Sequence, residues 1–352
     1  MSEVLRVGLI GCGERGEGCC TAIAKTSNTR LAMTMDTNQA LAQDLGQRFG
    51  VPWTTRFEDV LEDDRVDAVV ISTPHHLHAP QAVHAAQAGK HVIVEKPIST
   101  SLRDAIAATE AARKAGVQLS VNLSYRYLSH FQKARLLIES GVLGELFGVS
   151  LIYQRDRDFD YWQGSGGRST SDWRTKWETS GGGILINSVI HFIDLLRYLP
   201  GREVVEVSAA HTTLDSPGEV EDTASLWIRY DNGALGTVNA SSCVRGADLL
   251  EFRLWGGDGH ISLTPPCQFY SARLVDGKRP GQWHEFSGVR GVTSRDVEYF
   301  QRFTDGVLRG QGPDITGEDG LAAQAIVEAA YRSAQTRQTV RVERGPWGPE
   351  ES

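Results

Sequence analysis

Across the first 120 residues, short runs of consecutive apolar residues alternate with stretches whose apolar positions recur at helical spacing. The runs at 5–10, 31–35, 68–72, 91–94 and 118–121 predict strands. Between them 40–49, 57–62, 79–88 and 102–115, rich in Ala, Leu and Gln, predict helices. A strand that is apolar at nearly every position is buried on both faces, and strands joined through helices pair in parallel. The segment therefore predicts a doubly wound parallel sheet of α/β type. Gly50, Gly89 and Gly116 follow the helices where C-terminal caps stand.

The pattern changes after residue 122. A helix is expected over 131–140, ended by Gly141 and Gly144, and 155–183 shows no clean period. A connection of that length inside a compact protein is functional or mobile. Residues 184–199 form a strong helical run. Beyond it, 204–211, 223–230, 234–242, 249–255, 260–264 and 271–275 predict strands, and Asp231-Asn232-Gly233 marks a hairpin between two of them. Helices over 297–308 and 320–335 and an edge strand over 339–342 close the chain. The reading is an α/β domain over 1–122, a largely antiparallel α+β domain over 123–343, and a disordered tail over 344–352.

A length of 352 residues suits two domains. The net charge of −8 argues against a general binder of nucleic acid or anionic membrane, both of which attract a basic face. Five cysteines, odd in number and without a CxxC pair, suit a reducing compartment. The N-terminus lacks the apolar core of a signal peptide and no membrane-spanning run stands out, so a soluble, cytoplasmic protein is expected.

Candidate chemistry begins where the first strand runs into Gly11-Cys12-Gly13-Glu14-Arg15-Gly16. Strand before and helix after is the context a dinucleotide fingerprint needs. Gly11 permits the tight turn, Gly13 lets backbone approach a pyrophosphate, and Gly16 lets helix pack on strand, with phosphates at the helix N-terminus. Asp36 ends the second strand 20 residues after Gly16, where a carboxylate accepts hydrogen bonds from a ribose diol. Thr37 and Asn38 follow it, with no Arg or Lys to meet a 2′-phosphate, so NAD is expected over NADP. The strand at 91–94 ends abruptly in Glu95-Lys96-Pro97. Charge at the end of a buried strand is costly unless it is used, and Pro97 pushes Lys96 into an extended conformation. A dinucleotide turn and an aimed lysine are the two halves of a dehydrogenase site.

Other polar clusters carry two readings each. His75, His76, His78, His84 and His91 crowd one segment, but their spacing is not a zinc pattern and no metal site is expected. His75 and His76 lie at the carboxyl end of a strand, where ligands bind in such sheets. Asn122, Tyr125 and Arg126 follow the strand at 118–121 in the same way. Tyr161, Trp162, Trp173, Arg174 and Trp177 suit sugar recognition, with aromatic faces on C–H groups and charged hydrogen bonds to hydroxyls. The cations of that stretch, Arg155, Arg157, Arg168, Arg174 and Lys176, are balanced by Asp156, Asp158, Asp160, Asp172 and Glu178, so no anion-specific pocket is indicated. Asn187, His191, Asp194 and Tyr198 fall at i, i+4, i+7 and i+11, one stripe of an otherwise apolar helix that faces solvent or a cavity.

With the glycine turn, Asp36, Thr73-Pro74, the run from Gly89-Lys90-His91 to Glu95-Lys96-Pro97 and the triple glycine before His191, the chain resembles the Gfo/Idh/MocA oxidoreductases nearly end to end. The resemblance implies an N-terminal Rossmann domain and a C-terminal domain on an open, mixed sheet. One face of that sheet walls the site, and the other makes a homodimer or homotetramer. It implies NAD(P)-dependent oxidation of sugars, sugar derivatives or inositols, with Lys96 catalytic and His191 its partner. Thr73, Pro74, His75, His78, Glu95 and Asn122 join the cofactor set. Tyr125, Arg126, Tyr161, Trp173 and Arg174 join the substrate set with Lys96, Asn187 and His191. Arg126 is alternatively an ion pair at the interdomain hinge, and Trp173-Arg174 a surface or interface loop. Asn187 stands where the family has Asp, and Val189 where it often has Gly. An amide orients a histidine but carries no charge, so more of the proton chemistry falls on Lys96. Two other outcomes remain on such a scaffold: a redox glycosidase that oxidises, eliminates, hydrates and re-reduces, and a non-catalytic NAD-binding regulator.

Overall fold

The computed structural model describes residues 4–164, 171–292 and 294–343, so the expected tail over 344–352 and Arg168 lie outside the described residues. The chain divides into two compact units, Met1–Leu123 with Asp160–Gly181 and Asp296–Gln324, and Ser124–Phe159 with Gly182–Arg295 and Ala325–Ser352.

The first unit opens with β1 (Leu5–Ile10), α1 (Glu14–Ile23), β2 (Thr29–Met35), α2 (Gln39–Phe49) and β3 (Trp53–Thr54). It continues through α3 (Phe57–Glu62), β4 (Ala68–Ile71), α4 (His75–Gln87), β5 (His91–Val94), α5 (Leu102–Ala115) and β6 (Leu119–Val121). Among the described residues the sheet runs β3-β2-β1-β4-β5-β6, with every pairing parallel. Its order reverses beside β1, which opens a crevice at the carboxyl ends of the strands. Every residue of β4 and β6 is buried, as continuous apolar strands require. Local chemistry sets the helix ends. Asn38 accepts from Ala40 N and Ser101 from Asp104 N, while Gly50 and Gly116 close α2 and α5 in the left-handed region.

One helix differs from expectation. A helix is expected over 79–88, whereas α4 begins at His75, with Pro74 as its cap and Pro80 inside it. The helix forgoes one intrahelical bond and in return carries His75 and His78 directly off the end of β4.

The second unit holds α6 (Ser129–Glu139) and β7 (Leu146–Asp156); the short helices α7 (Phe159–Gln163) and α8 (Trp177–Ser180) follow in the chain. A helical run then passes through Leu185–Val189, in π geometry, into α9 (Ile190–Tyr198). Strands β8 (Val204–Thr212), β9 (Thr223–Tyr230), β10 (Leu235–Ser241), β11 (Cys243–Gly256), β12 (Gly259–Ser262), β13 (Gln268–Ser271) and β14 (Gln282–Glu285) come next. The described chain ends with α10 (Arg295–Arg309), α11 (Gly317–Thr336) and β15 (Val340–Arg341).

Among the described residues the second sheet runs β14-β13-β12-β11-β7-β10-β9-β8-β15. It is antiparallel except for β7 with β10. Burial alternates along β9 and β10, so one face is a core and the other is open. Phe131 of α6 and Phe192 of α9 meet Phe252 of β11 on the core face. The expected hairpin closes with Gly233 N bonded to Tyr230 O. Strands β7 and β14 of this sheet, like β3 of the first, were not anticipated, and the strand expected at 271–275 lies at Gln268–Ser271, with Asp276 and Gly277 turning the chain at positive φ. Trp177–Tyr198 is long and apolar enough to cross a membrane by length and composition, but 78% of its most apolar window is buried, as in a core helix.

Candidate functional site

The glycine turn follows β1, and two of its glycines are required by close approach. A Cβ on Gly11, at φ +95°, would stand 2.5 Å from Ser72 O, and one on Gly16 would stand 2.0 Å from Gly11 O. No side chain caps α1, so the N–H groups of its first turn are open to phosphate oxygens. Asp36 is held against this turn. Its Oδ2 accepts from Cys12 N at 2.7 Å and its Oδ1 from Asn38 N at 2.8 Å. Each carboxylate oxygen keeps a lone pair for a ribose hydroxyl. These residues fit a dinucleotide. Replacing Asp36 with alanine is expected to raise KM for NAD⁺ roughly ten- to hundredfold, the worth of hydrogen bonds to a charged acceptor. Steady-state kinetics with NAD⁺ and NADP⁺ checks this, and an unchanged KM for NAD⁺ would remove Asp36 from the cofactor set.

Arg15 turns away from the phosphate position. Its Nε donates to Glu95 Oε1 at 2.6 Å, and its terminal nitrogens donate to Asp296 at 3.0 and 3.1 Å. Glu95 Oε1 also accepts from Asn122 Nδ2 at 2.8 Å and faces Cys19 Sγ at 3.6 Å. Burial disfavours the Arg15 charge, but the carboxylates of Glu95 and Asp296 outweigh it and hold the guanidinium above its ordinary range, while burial pushes the Cys19 thiol up. The network pins the buried Glu95 at the end of β5, so Lys96 leaves the sheet from a fixed base. The Lys96–Pro97 bond is cis.

Around this base stand the histidines of α4. His78 Nδ1 lies 2.7 Å from Pro97 O and its Nε2 2.8 Å from Thr73 O. Two carbonyls favour the imidazolium, but burial outweighs them and pulls its pKa down. His75 is held well below its ordinary range by burial, and then by the positive charge of His78 and Lys96. Its Nδ1 meets Ser180 O at 2.8 Å, and its ring meets the Trp173 edge at 4.4 Å. His76 Nδ1 lies 3.3 Å from Thr179 O, and Thr73 Oγ1 donates to Gln81. Arg174 lies over the Trp173 ring at 4.7 Å and the Tyr161 ring at 5.8 Å. His75, Tyr161, Trp173 and Arg174 thus form one cluster within the first unit. Among the described residues, no group of His, Cys, Asp or Glu side chains is placed to hold a metal.

In the second unit the polar stripe is met by protein groups. His191 stacks on Tyr125 with ring centroids 4.0 Å apart and planes 1° from parallel. The Arg295 guanidinium also lies 4.5 Å from the Tyr125 centroid. Asn187 Nδ2 donates to Gly182 O and Gly183 O, both at 2.9 Å, which ties its amide to the start of its own helix. Arg126 binds Asp194 through two hydrogen bonds of 2.7 and 2.5 Å, with the Tyr198 ring 4.6 Å from the guanidinium. Both charges are buried.

Several participants had no local signature. Asp296, Arg295, Glu221 and Tyr331 reach these groups from distant positions. Glu221 accepts from Gly183 N, Leu185 N and the Tyr331 hydroxyl, and burial pushes its carboxyl up to about 7. An acidic pair at the head of a strand, Glu221-Asp222, was the only mark available.

Comparison with known proteins follows this geometry. A model of an oxidoreductase family with an NAD-binding Rossmann fold matches residues 5–123, and the GFO/IDH/MocA C-terminal domain matches residues 131–262. Myo-inositol 2-dehydrogenase of Thermotoga maritima is 28% identical over 351 residues, covering 96% of this chain and 99% of that protein. The WlbA dehydrogenase of Bordetella pertussis, solved with NADH and UDP-GlcNAcA, is 29% identical with a TM-score of 0.82, covering 97% of this chain and 99% of that one. Levoglucosan dehydrogenase, solved with NADH and levoglucosan, is 26% identical with a TM-score of 0.85, covering 96% of this chain and 99% of that one. A parallel sheet with an uncapped glycine turn, a second, mixed sheet later in the chain and these matches place the chain in the GFO/IDH/MocA family of oxidoreductases, with NAD as its cofactor.

Proposed function

We propose that the protein oxidises a secondary alcohol of a sugar, a sugar derivative or an inositol, with Lys96 as the general acid/base. The observation that carries this reading is the shared carboxyl edge of one parallel sheet, where the glycine turn, Asp36 and Lys96 all emerge. NAD, when bound, supplies the hydride acceptor at nicotinamide C4. Lys96 takes the hydroxyl proton, held at the reacting oxygen by the anchored Glu95. His191 and Asn187 orient that oxygen. Tyr161, Trp173 and Arg174 select the ring, with stacking faces and a charged donor for hydroxyls. Arg126 is spent on Asp194 and contributes by holding Tyr125 beside His191. The compounds named with the relatives, myo-inositol, levoglucosan and UDP-GlcNAcA, are rings bearing secondary hydroxyls, which supports this class.

A screen of NAD⁺ reduction against sugars, glycosides and inositols, with released aglycone measured in parallel, tests the reading. NADH accumulating with a ring polyol is the expected result. Free sugar without NADH would instead mean redox glycoside cleavage, and NAD binding without turnover on any substrate would mean a regulator.

We assign residues 1–122 to NAD binding and 123–343 to substrate binding and self-association, in a reducing cytoplasm that suits five free cysteines. Self-association is supported by the open face of the second sheet. Trp283, Tyr270, His260, Trp255, Gly148 and Leu235 stand side by side across six strands in paired register. Trp283, Trp255 and Leu235 are 50%, 40% and 42% exposed. An apolar row of this length suits a subunit interface. The wild type is expected to run as a dimer or tetramer in light scattering, and the Leu235→Glu/Trp283→Glu variant as a monomer. A monomeric wild type would sink the assignment.

A further inference from the structure

Glu221 is fully buried in the loop before β9, and it gathers the whole start of the helix that carries His191. Its Oε2 accepts from Gly183 N at 2.6 Å and its Oε1 from Leu185 N at 3.0 Å. Its backbone carbonyl accepts from Ile184 N at 2.8 Å. Three successive N–H groups of that helix end, which would otherwise be orphaned, are thus met by a single residue. The Tyr331 hydroxyl of α11 donates to the same Oε1 at 2.9 Å.

The triple glycine makes room for this clamp. A Cβ on Gly183 would stand 1.7 Å from Glu221 O, and one on Gly182 would stand 2.0 Å from the Tyr331 hydroxyl. From the helix side, Asn187 ties the Gly182 and Gly183 carbonyls. Immediately downstream, Leu185–Val189 runs in π geometry before α9 begins. One extra residue in a turn rotates everything after it by about 100° relative to an unbroken α-helix. The direction in which His191 points therefore depends on where the helix starts and on the π segment staying in place. Stability alone does not account for the choice of residue, because burying a carboxylate costs more than burying an apolar side chain of its size.

We propose that Glu221, braced by Tyr331, is a positioning residue that sets the helix start and through it the direction of the His191 ring. The proposal rests on the reading of His191 as part of the substrate machinery. Glu221→Gln keeps the shape of the side chain but leaves one backbone N–H facing an amide donor. Tyr331→Phe removes the hydroxyl that braces Glu221 and faces the backbone of Gly183 and Ile186. Neither change touches the cofactor turn.

A double-mutant cycle with His191→Ala tests the link. Glu221→Gln is expected to lower kcat about tenfold, with KM for NAD⁺ and Kd for NADH held within about twofold. Tyr331→Phe should give a smaller loss of the same kind in a protein that folds normally, which covers the case of Glu221→Gln failing to fold. On the His191→Ala background either change should cost less than about twofold further, since residues acting through one group are not additive. Equal losses in both backgrounds would make the clamp merely structural and overturn the proposal. Loss of activity in His191→Ala with wild-type kcat in Glu221→Gln and Tyr331→Phe would overturn this proposal and leave the reading of His191 standing. Full activity in His191→Ala would overturn both.

Discussion

Replacing Lys96 with methionine is expected to lower kcat by roughly 10²–10⁴-fold, the usual worth of a positioned general acid/base, while NADH still binds. Methionine keeps the length of the side chain and removes its ammonium. The base that carries it should be undisturbed, because Arg15 and Asn122 hold the Glu95 carboxylate. The adenosine end of the cofactor site, the glycine turn with Asp36, lies on other strands of the sheet. Isothermal titration with NADH and single-turnover oxidation of the best substrate from the screen separate the two effects. Retention of more than a few per cent of wild-type turnover would falsify Lys96 as the principal acid/base. The expectation is sharpened by Asn187. Its side chain is a neutral amide whose Nδ2 is bonded to the carbonyls of Gly182 and Gly183, so it supplies no carboxylate charge to His191.

The second large effect is on stability. Asp194→Asn is expected to destabilise the protein by about 3–5 kcal/mol, the loss found when one partner of a buried ion pair is removed. The pair is bidentate, and the side chains of Arg126 and Asp194 are only 8% and 1% exposed. Arg197 approaches Asp194 at 3.8 Å, but its guanidinium is shared with Glu203 at 2.6 Å. Losing the Asp194 charge takes the bidentate carboxylate from the buried Arg126 cation, which faces the Tyr198 ring. Denaturant unfolding followed by fluorescence measures the loss. The Arg126→Met/Asp194→Leu double variant should recover much of it, since removing both charges also removes their desolvation cost. A loss under about 1 kcal/mol in the single variant would place the pair among weak surface bridges instead. Activity should fall with stability, because the turn Ser124–Tyr127 carries both Arg126 and the Tyr125 ring stacked on His191.

Much of the molecule could be read from the chain. Strand–helix alternation, the Gly50 and Gly116 caps, the Asp231–Gly233 hairpin and the edge strand near the C-terminus all follow from neighbours a few residues apart. So does the need for glycine at Gly16, which arises from Gly11 O five residues earlier, whereas Gly11 is required by Ser72 O, brought to it from the next strand of the sheet. β7 escaped notice although its burial partly alternates, because its polar end, Gln154-Arg155-Asp156, runs on into an irregular charged stretch. The stripe from Asn187 to Tyr198 is divided, because Asn187 lies in the π segment Leu185–Val189 while His191, Asp194 and Tyr198 lie on α9. Its polar groups were expected to face solvent or a cavity, yet Asp194 is buried against Arg126, from an element some 68 residues earlier in the chain.

Periodicity, capping and turn chemistry depend on backbone geometry over one or two turns, and so these residues alone specified two sheets, a dinucleotide turn, an acidic ribose acceptor and a lysine at a strand end. Where each charge finds its partner depends on which segments the fold brings together, and local pattern carries no record of that. Arg15 belongs to the fingerprint by position, but packing sends it to Glu95 and Asp296, 80 and 281 residues away. Glu221 is unremarkable in its own segment and becomes the anchor of a helix start 38 residues earlier. A buried charge must be paired by whatever the fold places beside it, and that requirement is met by the tertiary structure.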